Sequence, residues 1–226
     1  MEPKVAIVTG SSSGLGEAIT RSLLNQDYLV FGGSRSESAI IHNNFIDLEL
    51  DVRSESSVKS FYAEVLKETE VVDLYVNNAG ICEMSSLAET NSKEFANHFA
   101  TNVLGSFHML KGLEPFLIED ETFILNILST ASLEAYPGTS SYTSNESAKK
   151  ALVEVIEKEW SKYHLRFTNL ILGAVNTPIW NDYEDIEVEQ MLSISQVMET
   201  VNFLIKASSE SKFAEIVLQP RRSFLK

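Results

Sequence analysis

The 226-residue chain has one cysteine, Cys82, and five prolines, and its bases are outnumbered, 18 Lys and Arg against 32 Asp and Glu, for a net charge of −14. Each scarcity excludes something. A single thiol builds no intramolecular disulfide framework, which fits a reducing cytoplasm. A surface this acidic repels nucleic acid and anionic membranes, so neither is expected as a partner. No apolar run reaches the ~18 residues of a bilayer span. Met1-Glu2-Pro3-Lys4 leads directly into Val5-Ala6-Ile7-Val8 without the features of a secretory leader. Pro3, Pro115, Pro137, Pro178 and Pro220 all fall outside or at the ends of the periodic segments, and no linker, low-complexity tract or repeat interrupts the chain. One domain over residues 1–226 is expected.

With 44% hydrophobic residues the chain has ample material for a core. Short runs rich in Val, Ile and Phe occur at Val5–Val8, Tyr28–Phe31, Phe45–Leu50, Val71–Val76, Phe123–Leu128, Phe167–Leu172 and Glu215–Leu218. Several are apolar on both faces, as a buried parallel sheet requires. Amphipathic helical patterns lie between them at Gly14–Leu24, Ser56–Lys67, Ser92–Lys111, Tyr142–Lys162 and Ile194–Lys206. This alternation predicts a single-domain α/β fold with a doubly wound parallel sheet, a Rossmann fold, whose ligands sit beyond the carboxyl ends of the strands.

The loop after the first strand reads Thr9-Gly10-Ser11-Ser12-Ser13-Gly14-Leu15-Gly16 and opens a helix. Glycines let the chain turn sharply and let a pyrophosphate approach the backbone, while the free N–H groups of the helix start hold its charge. An acidic protein can bind an anion in this way. At the end of the second strand, Phe31-Gly32-Gly33-Ser34-Arg35-Ser36 carries no carboxylate before Glu37. Arg35 can fork onto a phosphate and Ser34 can donate to it, so the expected cofactor is NADP(H) rather than NAD.

Three further segments complete a pattern: Asn77-Asn78-Ala79-Gly80 after the fourth strand, Asn102 in a long helix, and Ser129 thirteen residues before Tyr142. With the glycine loop, this set resembles the short-chain dehydrogenase/reductase family over nearly the whole chain. The resemblance implies that Gly10, Ser12, Ser13, Gly14, Leu15 and Gly16 line the pyrophosphate. It implies that Asp51 and Val52 meet the adenine, and that Asn78, Ala79 and Gly80 support the central strands and the adenosine ribose. Gly173, Val175 and Thr177 would grip the nicotinamide carboxamide, although Leu172 stands where the family usually has proline. Ser129 would hydrogen-bond the substrate oxygen, Tyr142 would pass it a proton, and Asn102 would hold a water of the proton relay. These roles imply reduction of a small or aromatic carbonyl compound, an aldehyde or ketone, to its alcohol.

One residue departs from the family. The pattern Tyr-x-x-x-Lys is here Tyr142-Thr-Ser-Asn-Glu146. The family's lysine lowers the tyrosine pKa and hydrogen-bonds the nicotinamide ribose; Glu146 could still accept from the ribose, but its charge acts on the tyrosine in the opposite sense. Two unit charges ~4 Å apart at an effective dielectric of ~20 interact by ~4 kcal/mol. Lys149 and Lys150 follow at helical spacing, so either can lie beside Glu146. Lys149 stands where the family usually has an apolar residue, which leaves open a Glu146–Lys149 pair near the site, with a solvated surface pair as the simpler expectation. A neutral tyrosine still donates to a developing alkoxide, so reduction should suffer less than alcohol oxidation.

Other readings are weaker. Asn126-Ile-Leu-Ser129-Thr130 is no G-x-S-x-G elbow for a serine hydrolase, and a methyltransferase would want an acid where Arg35 stands. His42, His98, His108 and His164 show no metal-ligand spacing, so no metal site is expected and each reads as a surface or packing residue. The rival that fits every residue is a dinucleotide-binding sensor or scaffold without turnover. A short acidic lid is expected around residues 178–192, with Trp180, Tyr183, Leu133, Tyr136 and Cys82 as candidate substrate walls. The assembly expected is a homodimer through the helices bearing Asn102 and Tyr142, with a homotetramer as the larger possibility.

Overall fold

The computed structural model describes residues 3–181, 183 and 187–222. Seven parallel strands form one sheet in the order β3-β2-β1-β4-β5-β6-β7. They are β1 (Val5–Thr9), β2 (Leu29–Ser34), β3 (Phe45–Glu49), β4 (Leu74–Asn77), β5 (Phe123–Ser129), β6 (Arg166–Leu172) and β7 (Glu215–Leu218). The expected doubly wound sheet is therefore present. Its chain order reverses between β1 and β4, where Val8 pairs with Val76, and this is the crevice in which such sheets hold ligands.

Alternating side chains of the central strands feed two separate cores. Val5, Ile7, Phe31, Tyr75 and Ile124 pack beneath α2 (Glu55–Glu68), α4 (Gly105–Leu113) and α5 (Ser140–Glu159). Ala6, Val8, Val30, Val76 and Leu125 pack beneath α1 (Gly14–Leu24) and α6 (Ile194–Lys206). The second face closes with Leu15, Ile19 and Leu23 of α1 and Val197, Val201 and Leu204 of α6, spaced at the helical period. Among the described residues, no helix is long and apolar enough to cross a membrane.

The helix expected over Ser92–Lys111 is not continuous. It divides into α3 (Ser92–His98), a π-helical stretch at Phe99–Leu104, and α4. The wider turn contains Asn102, whose carbonyl accepts a bond from Ser106 Oγ at 2.8 Å. Hydrophobic periodicity does not register such an insertion, and π-bulges concentrate at functional positions. The fourth strand starts later than the apolar run suggests, because Val72 bridges to Leu117 instead. Of the expected lid, short 3-10 turns form at Pro178–Trp180 and Val188–Gln190. Asp182, Glu184, Asp185 and Ile186 of that segment lie outside the described residues.

Candidate active site

The glycine loop is held down by the fourth strand. Thr9 Oγ1 accepts from the backbone N–H groups of Asn78 and Ala79, both at 2.9 Å, and Asn78 Nδ2 donates to Thr9 O at 2.8 Å. The turn needs its glycines. Gly10 and Gly14 have φ of +70° and +56°, and a Cβ on Gly16 would lie 2.0 Å from Gly10 O. Ser13, the N-cap of α1, makes no side-chain cap bond, so donors of the first helical turn stay open to a ligand. Beside this loop lies a cleft of about 410 Å³ lined by Gly10, Ser12, Ser13, Gly14, Leu15, Gly16, Ser34, Arg35, Asp51, Val52, Asn78, Ala79 and Gly80.

Two details of the cleft add to the residues expected from the sequence. Arg53 also lines it and pairs with Asp51 at 2.7 Å. The hydrogen bond from Arg53 holds the Asp51 carboxyl below its ordinary value, with a smaller effect from the Arg35 charge. Ser34 is buried, and its hydroxyl donates to Ser36 O at 2.7 Å. The hydroxyl proton is thus already engaged, and Arg35 and Arg53 are the guanidinium groups at this end of the cleft.

A second cavity, of about 170 Å³, continues from the first; Leu15, Asn78, Gly80, Ile81, Thr177 and Ile179 line both. It gathers Asn102, Ser129, Tyr142, Glu146, Gly173, Val175 and Thr177. Gly173 follows β6, and a Cβ there would meet Pro220 Cδ at 2.7 Å. Of the candidate walls, Cys82, Tyr136 and Trp180 line the cavity. Leu133 is exposed and lies outside the lining, and Tyr183 instead accepts from Met84 N at 2.7 Å through its hydroxyl.

Glu146 is the hub of this cavity. Its Oε1 accepts from Asn102 Nδ2 at 3.0 Å and its Oε2 from Ser129 N at 3.2 Å. Asn102 also clamps Ile81, accepting from its N–H and donating to its C=O, each at 2.9 Å. One carboxylate therefore joins α5, the end of β5 and the π-helical turn. Burial pushes the Tyr142 phenol well above its ordinary range, the Glu146 charge pushes it further, and a hydrogen bond with Ser129 acts the other way. Burial and the same carboxylate push the Cys82 thiol up to about 12, which leaves it protonated and unreactive at neutral pH.

The expectation of a solvated pair involving Glu146 is overturned. Glu146 and Lys149 are both buried, at 4% and 2% exposure, and both line the cavity. Lys149 Nζ donates to Ile127 O at 3.1 Å. Lys150 is the outward lysine, paired with Glu154 and, at 3.1 Å, with Glu215. The reason is the helical stripe: Tyr142, Glu146, Lys149 and Val153 share one face, and that face lies on the sheet.

His98 takes the packing alternative rather than the surface one. It is fully buried, and its Nε2 accepts from Glu83 N at 3.0 Å, so Nδ1 carries the proton toward Ser141 Oγ at 2.6 Å. Its ligand atoms and those of Glu83 and Glu94 lie within 4.8 Å of one another. Both ring nitrogens are engaged, and Glu94 accepts from Ser85 Oγ at 2.7 Å.

A family model described as short chain dehydrogenase matches residues 4–187. The chain is 32% identical over 190 residues to 2-(R)-hydroxypropyl-CoM dehydrogenase of Xanthobacter autotrophicus, covering 78% of this chain and 76% of that protein. It is 30% identical over 187 residues to 3-amino-tetrahydro-pyrrolizinone reductase of Xenorhabdus hominickii, covering 81% and 65%. Among solved structures, an alcohol dehydrogenase of the archaeon Thermococcus sibiricus, complexed with 5-hydroxy-NADP, superposes with a TM-score of 0.87 at 28% identity, covering all of both chains. The chain belongs to the short-chain dehydrogenase family of oxidoreductases.

Proposed function

We propose that the protein is an NADP(H)-dependent carbonyl reductase that converts a small, uncharged aldehyde or ketone to its alcohol. The observation that carries this reading is the continuity of the glycine-loop cleft with the cavity holding Ser129 and Tyr142. The residues fit such a cofactor: the loop closes only with glycine, its helix start is uncapped, and two guanidinium groups stand at the far end. Gly10 to Gly16 would hold the pyrophosphate and Arg35 the 2′-phosphate. Asp51 and Val52 would meet the adenine, and Gly173, Val175 and Thr177 the carboxamide. The solved Thermococcus sibiricus relative, bound to 5-hydroxy-NADP, supports that choice.

When bound, the reduced nicotinamide supplies a hydride. The chain's own residues do the rest. Ser129 Oγ orients the substrate oxygen by a hydrogen bond, and the neutral Tyr142 phenol donates its proton to the alkoxide as it develops. Desolvation by Ile81, Met84, Ala131 and Trp180 excludes water and suits an apolar substrate. Of the expected lid, Ile179 and Trp180 belong to that wall. Burial and Glu146 keep the resting Tyr142 neutral, the form from which reduction starts, whereas alcohol oxidation must start from tyrosinate; after each donation Tyr142 regains its proton from solvent.

The exposed Phe95 and Phe99 near α3, Phe107 on α4 and Val155 on α5 support a homodimer through these helices. One buried cysteine fits a cytoplasmic location. The second reading, a dinucleotide-binding sensor without turnover, is favoured by Glu146 alone. Following NADPH oxidation with a panel of aldehydes and ketones tests the two: consumption matched by alcohol formation supports the reductase, and tight NADPH binding with no product supports the sensor.

A further inference from the structure

Glu146 and Lys149 are the charged side chains lining the inner cavity among the described residues. Both lie on the sheet-facing stripe of α5, one helical turn apart, and both are nearly inaccessible. A buried carboxylate needs more than two N–H donors from neutral groups; without an opposite charge nearby it is strongly disfavoured. The other titratable groups around it offer none. Tyr142 and Cys82 are neutral acids, and His98 is held neutral by burial and by the N–H of Glu83 at its Nε2. Lys149 has spent one ammonium proton on Ile127 O, two residues before Ser129 on the same strand, whose N–H binds Glu146.

We propose that Lys149 is the counter-ion of Glu146 and a positioning residue of this site. Its ammonium is anchored on Ile127 O rather than on the carboxylate. It acts through space to favour the ionised acceptor that joins Asn102 to Ser129, and so the register of the π-helical turn and the end of β5 beneath Tyr142. The pair also leaves the cavity without net charge, which bears on substrate class: an uncharged carbonyl compound meets no uncompensated field. That consequence for catalysis rests on the reductase reading; the through-space coupling of the two charges does not. Burial lowers the proton affinity of Lys149 and Glu146 raises it, in keeping with this arrangement.

The test reads no turnover, so its failure is distinct from failure of the reductase reading. Protein with 13C-labelled lysine is titrated by NMR, with Lys149 assigned by its absence in Lys149→Met. The Lys149 midpoint should lie below that of an ordinary lysine and fall by a further one pH unit or so, about a tenfold loss of proton affinity, in Glu146→Gln. Thermal melts supply the second arm. Lys149→Met should lower the melting temperature by about 3 °C or more, because it strands the carboxylate, and Glu146→Gln added to it should recover most of that loss. A lysine buried for packing alone gives the opposite sign, since methionine relieves its desolvation. A Lys149 midpoint that ignores Glu146→Gln, or a Lys149→Met protein that melts higher, overturns the proposal. If Glu146→Gln does not fold, the sign of the Lys149→Met melt decides.

Discussion

Asn102 Nδ2 and Glu146 Oε1 stand 3.0 Å apart, a hydrogen bond between a π-helical turn and the helix that carries Tyr142. It fixes the position of a carboxylate within the cavity that also holds Ser129 and Tyr142. Glu146 is thereby built into the site rather than left as a lesion in it. Its hydrogen-bond partners, Asn102 and Ser129, come from two other elements, the π-helical turn and β5.

Replacing Glu146 by lysine is therefore expected to damage the protein. A cation at this position would face the N–H groups of Asn102 and Ser129 and lie beside Lys149. Glu146→Lys should cost about 3 kcal/mol of unfolding free energy, read by denaturant titration. Adding Lys149→Leu should return a large part of it. Glu146→Lys with unchanged stability would mean that the bracket contributes nothing.

Under the proposed reaction, Tyr142→Phe removes the proton donor and little else. Carbonyl reduction should fall by about 100-fold or more, while NADPH affinity stays within about twofold. Steady-state rates and calorimetry on the same preparation separate the two effects.

Arg35→Ala should weaken NADPH by roughly 10- to 100-fold, as expected for loss of a charge-assisted phosphate contact of ~1.5–3 kcal/mol. NADH affinity should hardly change. The measurement is a pair of calorimetric titrations, and equal losses for both cofactors would remove Arg35 from the 2′-phosphate.

His98 predicts a pH dependence of stability. Burial lowers its pKa below 6.5 in the folded chain, whereas the unfolded chain takes up the proton near that value. Between the two midpoints the unfolded state binds more protons, so stability falls as pH drops below 6.5 and levels off below the folded midpoint. His98→Gln should flatten that part of the curve in melts across pH.

Much of this was legible in the sequence because it rests on local patterns. Val5–Val8 alternates between two cores, and α1 and α6 run over Gly14–Leu24 and Ile194–Lys206 as the apolar period implies. The site residues Asn102, Ser129, Tyr142 and Glu146 do line one cavity. What escaped depends on contacts between distant segments. The π-helical turn at Phe99–Leu104 shifts the helix phase without changing composition. The inward direction of Lys149 follows from the stripe that begins at Tyr142, yet a lysine on a core stripe reads as polar surface until the sheet is in place. Arg53 had a signal, since it follows Asp51 by two residues at the end of a strand; its bidentate geometry did not.

Gly16→Ala should abolish the dinucleotide site, because its Cβ would fall 2.0 Å from Gly10 O. The loop must shift, at a cost of about 1–3 kcal/mol in stability. NADPH binding should drop below detection while the far-UV spectrum remains that of a folded α/β protein.

Calorimetric titration of the purified protein with NADPH and with NADH tests the central claim most directly. The account predicts saturable, one-to-one binding of NADPH, tighter than NADH by at least about tenfold. Failure of both to bind a folded sample would contradict it.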